Sequence, residues 1–303
     1  MLPRVRTLKE LVVFGYAAHG ASSVTRQRIA RFAKRVGDAA KVSMSLVETG
    51  SYEELGKACA AGHIDLAWLP PIPFIALERR GMVTALVTQR RGGGSRFHSA
   101  LNVARHALFT TAADLVGPRA AWVDPYSAAG FVLPRVGLAS LGVDPRVAFS
   151  DERFYRSHDA VVRAVIAGRA DFGATYTDVD RFGTTRRGPW LDIEGAEQSI
   201  RVLTRFGAIP GDVIAARSAL SEDLRAKLTR ALLFVAKDKE NRSLLRGAFG
   251  SDDLGKWDPV GYAELRTLTE QAASDGLLDA DDMAEVSDGT PMFGVRAIST
   301  REG

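Results

Sequence analysis

Cysteine is nearly absent. Cys59 stands alone among 303 residues, which excludes an intrachain disulfide. It falls on the apolar side of a helical stretch and reads as a small core residue. Long hydrophobic runs are missing too: no stretch approaches the roughly 18 apolar residues of a membrane span. The first residues, Met1-Leu-Pro-Arg-Val-Arg-Thr-Leu-Lys-Glu10, are broken by Arg4, Arg6, Lys9 and Glu10. They offer no long apolar core with a small-residue cleavage site, so they do not read as a signal peptide. The expectation is a cytoplasmic protein, or a periplasmic one if a leader has been removed. Basic charge is not gathered anywhere. The net charge is +4 and the pI about 9.3, but Arg79-Arg80, Arg90-Arg91 and Arg186-Arg187 are short, isolated pairs. They read as solvated surface and argue against nucleic acid.

Catalytic signatures are also lacking. There is no Gly-x-Ser-x-Gly elbow, no His-Glu-x-x-His and no Cys-x-x-Cys. Gly92-Gly-Gly94 lacks the lysine of a phosphate-binding loop and reads as a flexible turn. His63, His98 and His106 do not have metal-ligand spacing. No metal and no cofactor are expected.

What is present is one pattern written twice. Ser51-Tyr-Glu-Glu-Leu-Gly-Lys-Ala-Cys-Ala-Ala-Gly-His-Ile-Asp65 matches Ser157-His-Asp-Ala-Val-Val-Arg-Ala-Val-Ile-Ala-Gly-Arg-Ala-Asp171. Serine to glycine is eleven residues in both, and serine to aspartate fourteen. Each copy predicts a serine-capped helix closed by glycine and followed by an apolar strand, Leu66-Ala-Trp-Leu69 or Phe172-Gly-Ala-Thr175. Two copies of one helix–strand unit imply two similar lobes with a ligand cleft between them.

The 46% hydrophobic and 25% charged composition is that of a globular protein large enough for two domains. Strand candidates alternate with helices throughout. Strands are expected at 11–16, 42–47, 65–69, 83–88, 99–105, 120–123, 171–176, 200–206 and 213–216. Helices are expected at 24–36, 52–61, 74–80, from the Asp124–Gly130 turn toward Leu141, and at 224–235 and 262–273. Pro134 should kink or delay its helix. Pro70-Pro71 should break the strand before it. The alternation argues α/β with largely parallel sheets. The first lobe is expected to hold 1–105 and 206–303 and the second 106–205, with two crossings between them. The tail from Asp281 reads as a disordered end or a partner contact.

In open α/β sheets ligands sit beyond the carboxyl ends of strands, near helix N-termini. That rule selects Tyr16 with the loop His19–Ser23, Trp68-Leu-Pro-Pro71, Tyr126-Ser127 and Tyr176-Thr-Asp178. The paired repeats add Tyr52 and His158, each directly after its capping serine. Ser127-Ala128-Ala129-Gly130 offers a hydroxyl and small residues at a helix start, which suits an anion, and equally suits a plain N-cap. Tyr16 and Trp68 are either cleft aromatics or core. Asp178 is either a receptor for a cationic group or solvated. Asp65 and Asp171 read as holders of turn geometry.

At these residues the chain resembles the phosphonate-binding components of ABC importers. The matching pieces are Tyr52-Glu-Glu-Leu with Gly62-His-Ile-Asp-Leu-Ala-Trp-Leu-Pro-Pro71, Asp114-Leu-Val-Gly117, Val123-Asp-Pro-Tyr-Ser-Ala-Ala-Gly130 with Pro134, Ser157-His-Asp-Ala160 with Gly168-Arg-Ala-Asp171, and Arg201-Val-Leu203 with Ile209-Pro210. They cover roughly residues 11 to 235 in the family's order. The resemblance implies a two-lobed type II periplasmic-binding-protein fold that closes on a small anion. By the same resemblance Ser127 and the adjacent backbone would hold a phosphoryl group, Tyr52 and His158 would close on it from opposite lobes, and Asp178 would face a ligand amine. The chain departs from the family where Ala128-Ala129 replace the usual Thr-Ser, removing two hydroxyl donors; Arg205 is expected to compensate. The family's usual Gly-Pro after the tryptophan strand is Pro70-Pro71 here.

Three functions compete at this point. The first is a solute-binding protein that feeds an ABC permease with a phosphonate-like or phosphate-ester-like anion. The second is a cytoplasmic ligand sensor with a protein partner. The third is an enzyme on the same fold, of the chorismate-dehydratase or thiamine-pyrimidine-synthase kind.

Overall fold

Short apolar runs bounded by glycine, proline and polar caps form the strands, and capped amphipathic stretches between them form the helices. The computed structural model describes residues 10–18, 21–91, 94 and 96–278. Expectations about the first nine residues, the start of the 19–23 loop, most of the 92–94 turn and the tail from residue 281 lie outside them. Among the described residues the strands, in chain order, are β1 (Leu11–Ala17), β2 (Ser43–Thr49), β3 (Leu66–Leu69), β4 (Val83–Arg90), β5 (Arg96–Ala104), β6 (Arg119–Trp122), β7 (Asp151–Phe154), β8 (Phe172–Val179), β9 (Thr185–Arg187), β10 (Ile200–Pro210), β11 (Val213–Arg217) and β12 (Asp253–Lys256).

They build two sheets of mixed α/β type. The first has the order β12-β4-β11-β3-β1-β2 and the second β10-β5-β8-β6-β7, with β9 added beside β8. In the first sheet β1 runs parallel to β2 and β3, and β11 lies antiparallel between β3 and β4. In the second, β6 runs parallel to β7 and β8, and β5 lies antiparallel between β8 and β10. The duplication read from one helix–strand unit therefore extends to both sheets.

The two copies use the same local chemistry. Ser51 Oγ accepts the Glu54 N–H at 3.1 Å and Ser157 Oγ accepts that of Ala160 at 3.2 Å. Gly62 and Gly168 both take left-handed backbone, φ +75° and +66°, which a side chain would strain. Asp65 accepts the backbone N–H of Val13 at 3.0 Å, and Asp171 that of Arg119 at 2.7 Å. Each aspartate thus ties the start of its own strand to the neighbouring parallel strand, and each carries an arginine, Arg217 or Arg119.

Several elements differ from expectation. Strand 99–105 was assigned to the first lobe, but β5 pairs with β8 and β10 in the second sheet. The whole of β10 lies there too. The chain therefore changes sheets between Arg90 and Arg96 and again between Pro210 and Val213, outside the expected crossings at 105 and 206. Apolar pattern fixes where a strand is; its partner is a non-local choice. β7 and β12 are edge strands with polar sequences, Asp-Glu-Arg-Phe and Asp-Leu-Gly-Lys, so they lack the apolar signal of inner strands. Helix Lys239–Phe249 was missed because its sequence is mostly polar. β3 ends before Pro70-Pro71 as expected, but the helix starts earlier than 74: Pro71 opens helix Pro71–Arg79 as its first residue, where a missing N–H goes unnoticed. Pro134 behaves as expected. A wide π-helical turn, Ala128–Val132, precedes it, and the α-helix starts only at Leu133.

Candidate functional site

A cavity of about 240 Å³ opens between the two sheets, lined from both. The first sheet's side supplies Tyr16 at the end of β1, Tyr52 as the first residue of helix Tyr52–Ala60, and Trp68 with Pro70 and Pro71 at the end of β3. The second sheet's side supplies Ser127, Ala128 and Ala129 after β6, His158 as the first residue of helix His158–Ile166, and Tyr176 within β8. Tyr52 and His158, the equivalent residues of the two repeats, thus face one space from opposite sheets.

Ser127 is both a helix cap and a cavity residue. Its Oγ accepts the Gly130 N–H at 3.0 Å, which leaves the hydroxyl proton to be donated elsewhere. The turn is pinned from below: buried Ser99 donates its hydroxyl to the Ala129 carbonyl at 2.6 Å. Gly130 is required by close approach, because a Cβ there would lie 2.4 Å from Val123 Cγ2 and 2.8 Å from Ser127 Oγ. The result is a rigid helix start presenting a hydroxyl and small side chains, the geometry that suits an oxyanion.

The aromatic groups are fixed by polar partners. Tyr16 donates its hydroxyl to Glu48 at 3.0 Å, and Arg26 holds the same carboxylate. Burial and Glu48 push the Tyr16 phenol up to about 12. Trp68 stacks on Phe249, with ring centroids 3.8 Å apart and planes 4° from parallel, and donates its indole N–H to Asp212 at 2.8 Å. The Tyr52 phenol is raised far above its ordinary value, by burial first and then by the Asp212 and Asp124 carboxylates. It stays protonated and able to donate. His158 packs edge-on against Tyr176 at 4.9 Å, and its Nδ1 accepts the Tyr176 N–H at 3.3 Å. That bond leaves Nε2 as the ring's other polar atom.

Seven of the ten expected site residues line this cavity: Tyr16, Tyr52, Trp68, Ser127, Ala128, Ala129 and His158. Three do not. Tyr126 is 2% exposed and packs in the core, and Asp124 accepts its backbone N–H. Arg205 lies exposed on β10 and donates to Thr185 at 3.0 Å, so it supplies no compensation at the Ala128-Ala129 turn. Asp178 lies outside the lining. Burial raises its pKa, while the Arg91 and Arg187 charges counter that shift; neither oxygen has a hydrogen-bond partner among the described residues.

The residues missed from sequence are Arg91, Asp212 and Phe249, all in the lining. Arg91 had been read as half of a solvated pair. It follows the end of β4 and lies over the rings of Phe97 and Tyr176, at 5.1 and 5.2 Å. Its Nε and Nη1 are buried and have no hydrogen-bond partner among the described residues. The available signal was its place at a strand's carboxyl end followed by glycines. Asp212 sits between β10 and β11, where the chain changes sheets, and burial raises its pKa against the opposing effects of Arg91 and the Trp68 N–H.

Asp124, just before the anion turn, gives a pH-dependent signal. Burial pushes its pKa up to about 6, against the Tyr126 N–H, which lowers it. The folded value lies above the unfolded one of about 3.9, so the folded protein holds the proton more tightly. Its contribution to stability is therefore full below about pH 4 and is lost as pH rises through 6. The loss is about 3 kcal/mol, from roughly 1.4 kcal/mol per pKa unit. Asp124→Asn keeps an oxygen for the Tyr126 N–H. In urea unfolding the variant should match the parent near pH 4 and exceed it near pH 7; equal stability at both pH values would refute the burial assignment.

Among the described residues no group of three or more His, Cys, Asp or Glu could hold a metal ion, and no helix is long and apolar enough to cross a membrane.

A family model described as "ABC transporter, phosphonate, periplasmic substrate-binding protein" matches residues 14–262. The chain belongs to this family of phosphonate-type substrate-binding proteins. The family's proteins are periplasmic binding components, not enzymes, which removes the support for an enzyme on the same fold. One curated relative is the phosphate-import protein PhnD of Mycolicibacterium smegmatis, 27% identical over 197 residues, 61% of this chain. That match spans 59% of the relative's length. The fold is shared with solved substrate-binding structures. The binding component of an ABC phosphonate transporter from Pseudomonas aeruginosa superposes with a TM-score of 0.74 at 18% identity, covering 91% of this chain and 92% of that one. PhnD1 of Prochlorococcus marinus, in complex with methylphosphonate, gives 0.71 at 17% identity, covering 86% and 98%. The type II periplasmic-binding-protein fold implied by the resemblance is the one observed.

Proposed function

We propose that the chain captures a small phosphoryl or phosphonyl anion between its two sheets and delivers it to an ABC permease. The observation that carries this reading is the meeting of Ser127, Tyr52 and His158 in one cavity of about 240 Å³. A capped helix start attracts the anion, and the two repeat-related side chains reach it from opposite sheets. Arg91 adds a cation with two donors that have no partner among the described residues, so one guanidinium takes over from the hydroxyls that Ala128 and Ala129 lack. The sheets close on the ligand about the two places where the chain passes between them, after Arg90 and after Pro210. Two relatives, a phosphate-import protein and a protein solved with methylphosphonate, agree with this ligand class. In this reading the protein works outside the cytoplasmic membrane, as its family does.

A thermal-shift screen with methylphosphonate, phosphate, acetate and benzoate tests it. A ligand at about 100 times its Kd should stabilise the protein by about 2.7 kcal/mol. Phosphonate or phosphate should raise the melting temperature and the carboxylates should not. A screen in which no phosphorus oxyanion shifts the transition removes the reading.

A further inference from the structure

A second cavity, about 470 Å³, adjoins the first. The two share Arg91, Tyr176 and Phe249 in their linings, so Arg91 borders both. The second cavity is basic. Arg186, Arg187 and Arg246 line it with Arg91, against Asp192 as the single acidic lining residue. Two further carboxylates stand behind it. Asp180 pairs with Arg186, and one oxygen of Asp252 takes both Arg187, at 2.6 Å, and Arg246, at 2.8 Å. One carboxylate shared by two guanidiniums leaves both with donors to spare. Arg91, bordering both cavities, keeps two buried donors without a partner among the described residues. Unmade hydrogen bonds on a buried cation are unfavourable, and a ligand oxyanion would complete them.

We infer that the ligand carries two anionic groups: a phosphoryl or phosphonyl group at the Ser127 turn, and a carboxylate or second phosphate in the arginine-lined second cavity, with Arg91 reaching both. This inference rests on the phosphonate reading of the inner cavity and narrows it. It sets this chain apart from a receptor for a phosphonate bearing an ammonium group. The Arg91 charge opposes the burial that raises the pKa of Asp178 and Asp212, and a cationic ligand tail would have to pass that guanidinium.

Isothermal titration with five probes tests it: methylphosphonate, 2-aminoethylphosphonate, phosphonoacetate, 3-phosphonopropionate and 4-phosphonobutyrate. At least one phosphonocarboxylate should bind about tenfold to a hundredfold tighter than methylphosphonate, the gain expected of a hydrogen bond to a charged group. Arg246→Gln, an exposed substitution that the fold will tolerate, should bring that ratio toward one. If methylphosphonate binds and no phosphonocarboxylate improves on it, the two-anion inference falls while the phosphonate reading stands. The same holds if 2-aminoethylphosphonate is the tightest of the five. If none of the five binds, both fall together.

Discussion

Ser127→Asp should abolish binding of phosphorus oxyanions while leaving the fold intact. Aspartate is as good an N-cap as serine, so its carboxylate can accept the Gly130 N–H that Ser127 Oγ now accepts at 3.0 Å. The turn keeps its geometry and gains a negative charge where the ligand's own charge sits. At about 4 Å and an effective dielectric near 20 the repulsion is about 4 kcal/mol, roughly a thousandfold in Kd. Far-ultraviolet circular dichroism should match the parent, and the melting-temperature rise with methylphosphonate should vanish. Ser127→Ala is the milder companion. It loses one hydroxyl donor to a charged group, about 1.5–3 kcal/mol, and the cap, about 1 kcal/mol of stability. If Ser127→Asp binds methylphosphonate as the parent does, the anion does not sit at this turn.

Trp68→Ala should be the most destabilising single change in the cavity wall. The indole is 5% exposed, lies face to face on Phe249, and gives its N–H to Asp212. Truncation removes the ring from a packed cluster, at about 3–5 kcal/mol, and leaves Asp212 without that donor beside Arg91. The melting temperature should fall by on the order of 10 °C for a chain of this size. Trp68→Phe keeps one ring on Phe249 but gives up the N–H and the second ring of the indole, so it should lose about 1–3 kcal/mol, less than Trp68→Ala. Calorimetry of the two variants shows what the one retained ring contributes. A Trp68→Phe loss as large as that of Trp68→Ala would show that the retained stack does not hold this wall.

The contrast between these two sites shows what sequence could convey. Ser127, Tyr52 and His158 were legible as residues of the cavity wall because their placement depends on neighbours in the chain. A serine three residues before the amide it caps, and a side chain directly after a capping serine, are local facts. So are Gly62 and Gly168 in left-handed turns. Trp68 was legible as a strand end, but its partners were not. Phe249 comes from a helix and lies 181 residues further along the sequence, and Asp212 comes from the passage between sheets. Arg91 was hidden for the same reason: an arginine beside another arginine looks solvated until the sheet order places aromatic rings under it. Arg205 was chosen at the expected return crossing and Asp178 at a strand end, yet β10 is an outer strand of the second sheet and β8 continues through Asp178 into a pairing with β9. Both positions depend on sheet neighbours. The placement of β5 in the second sheet is another instance.

The most direct measurement is a crystal structure of the protein grown with methylphosphonate. Its phosphorus should lie in the cavity between the sheets. An oxygen should be within about 3 Å of Ser127 Oγ, with Tyr52 and His158 contacting the same group from opposite sides. A phosphonate bound only among Arg186, Arg187 and Arg246, or on the outer surface of either sheet, would contradict the assignment of the Ser127 turn as the anion site.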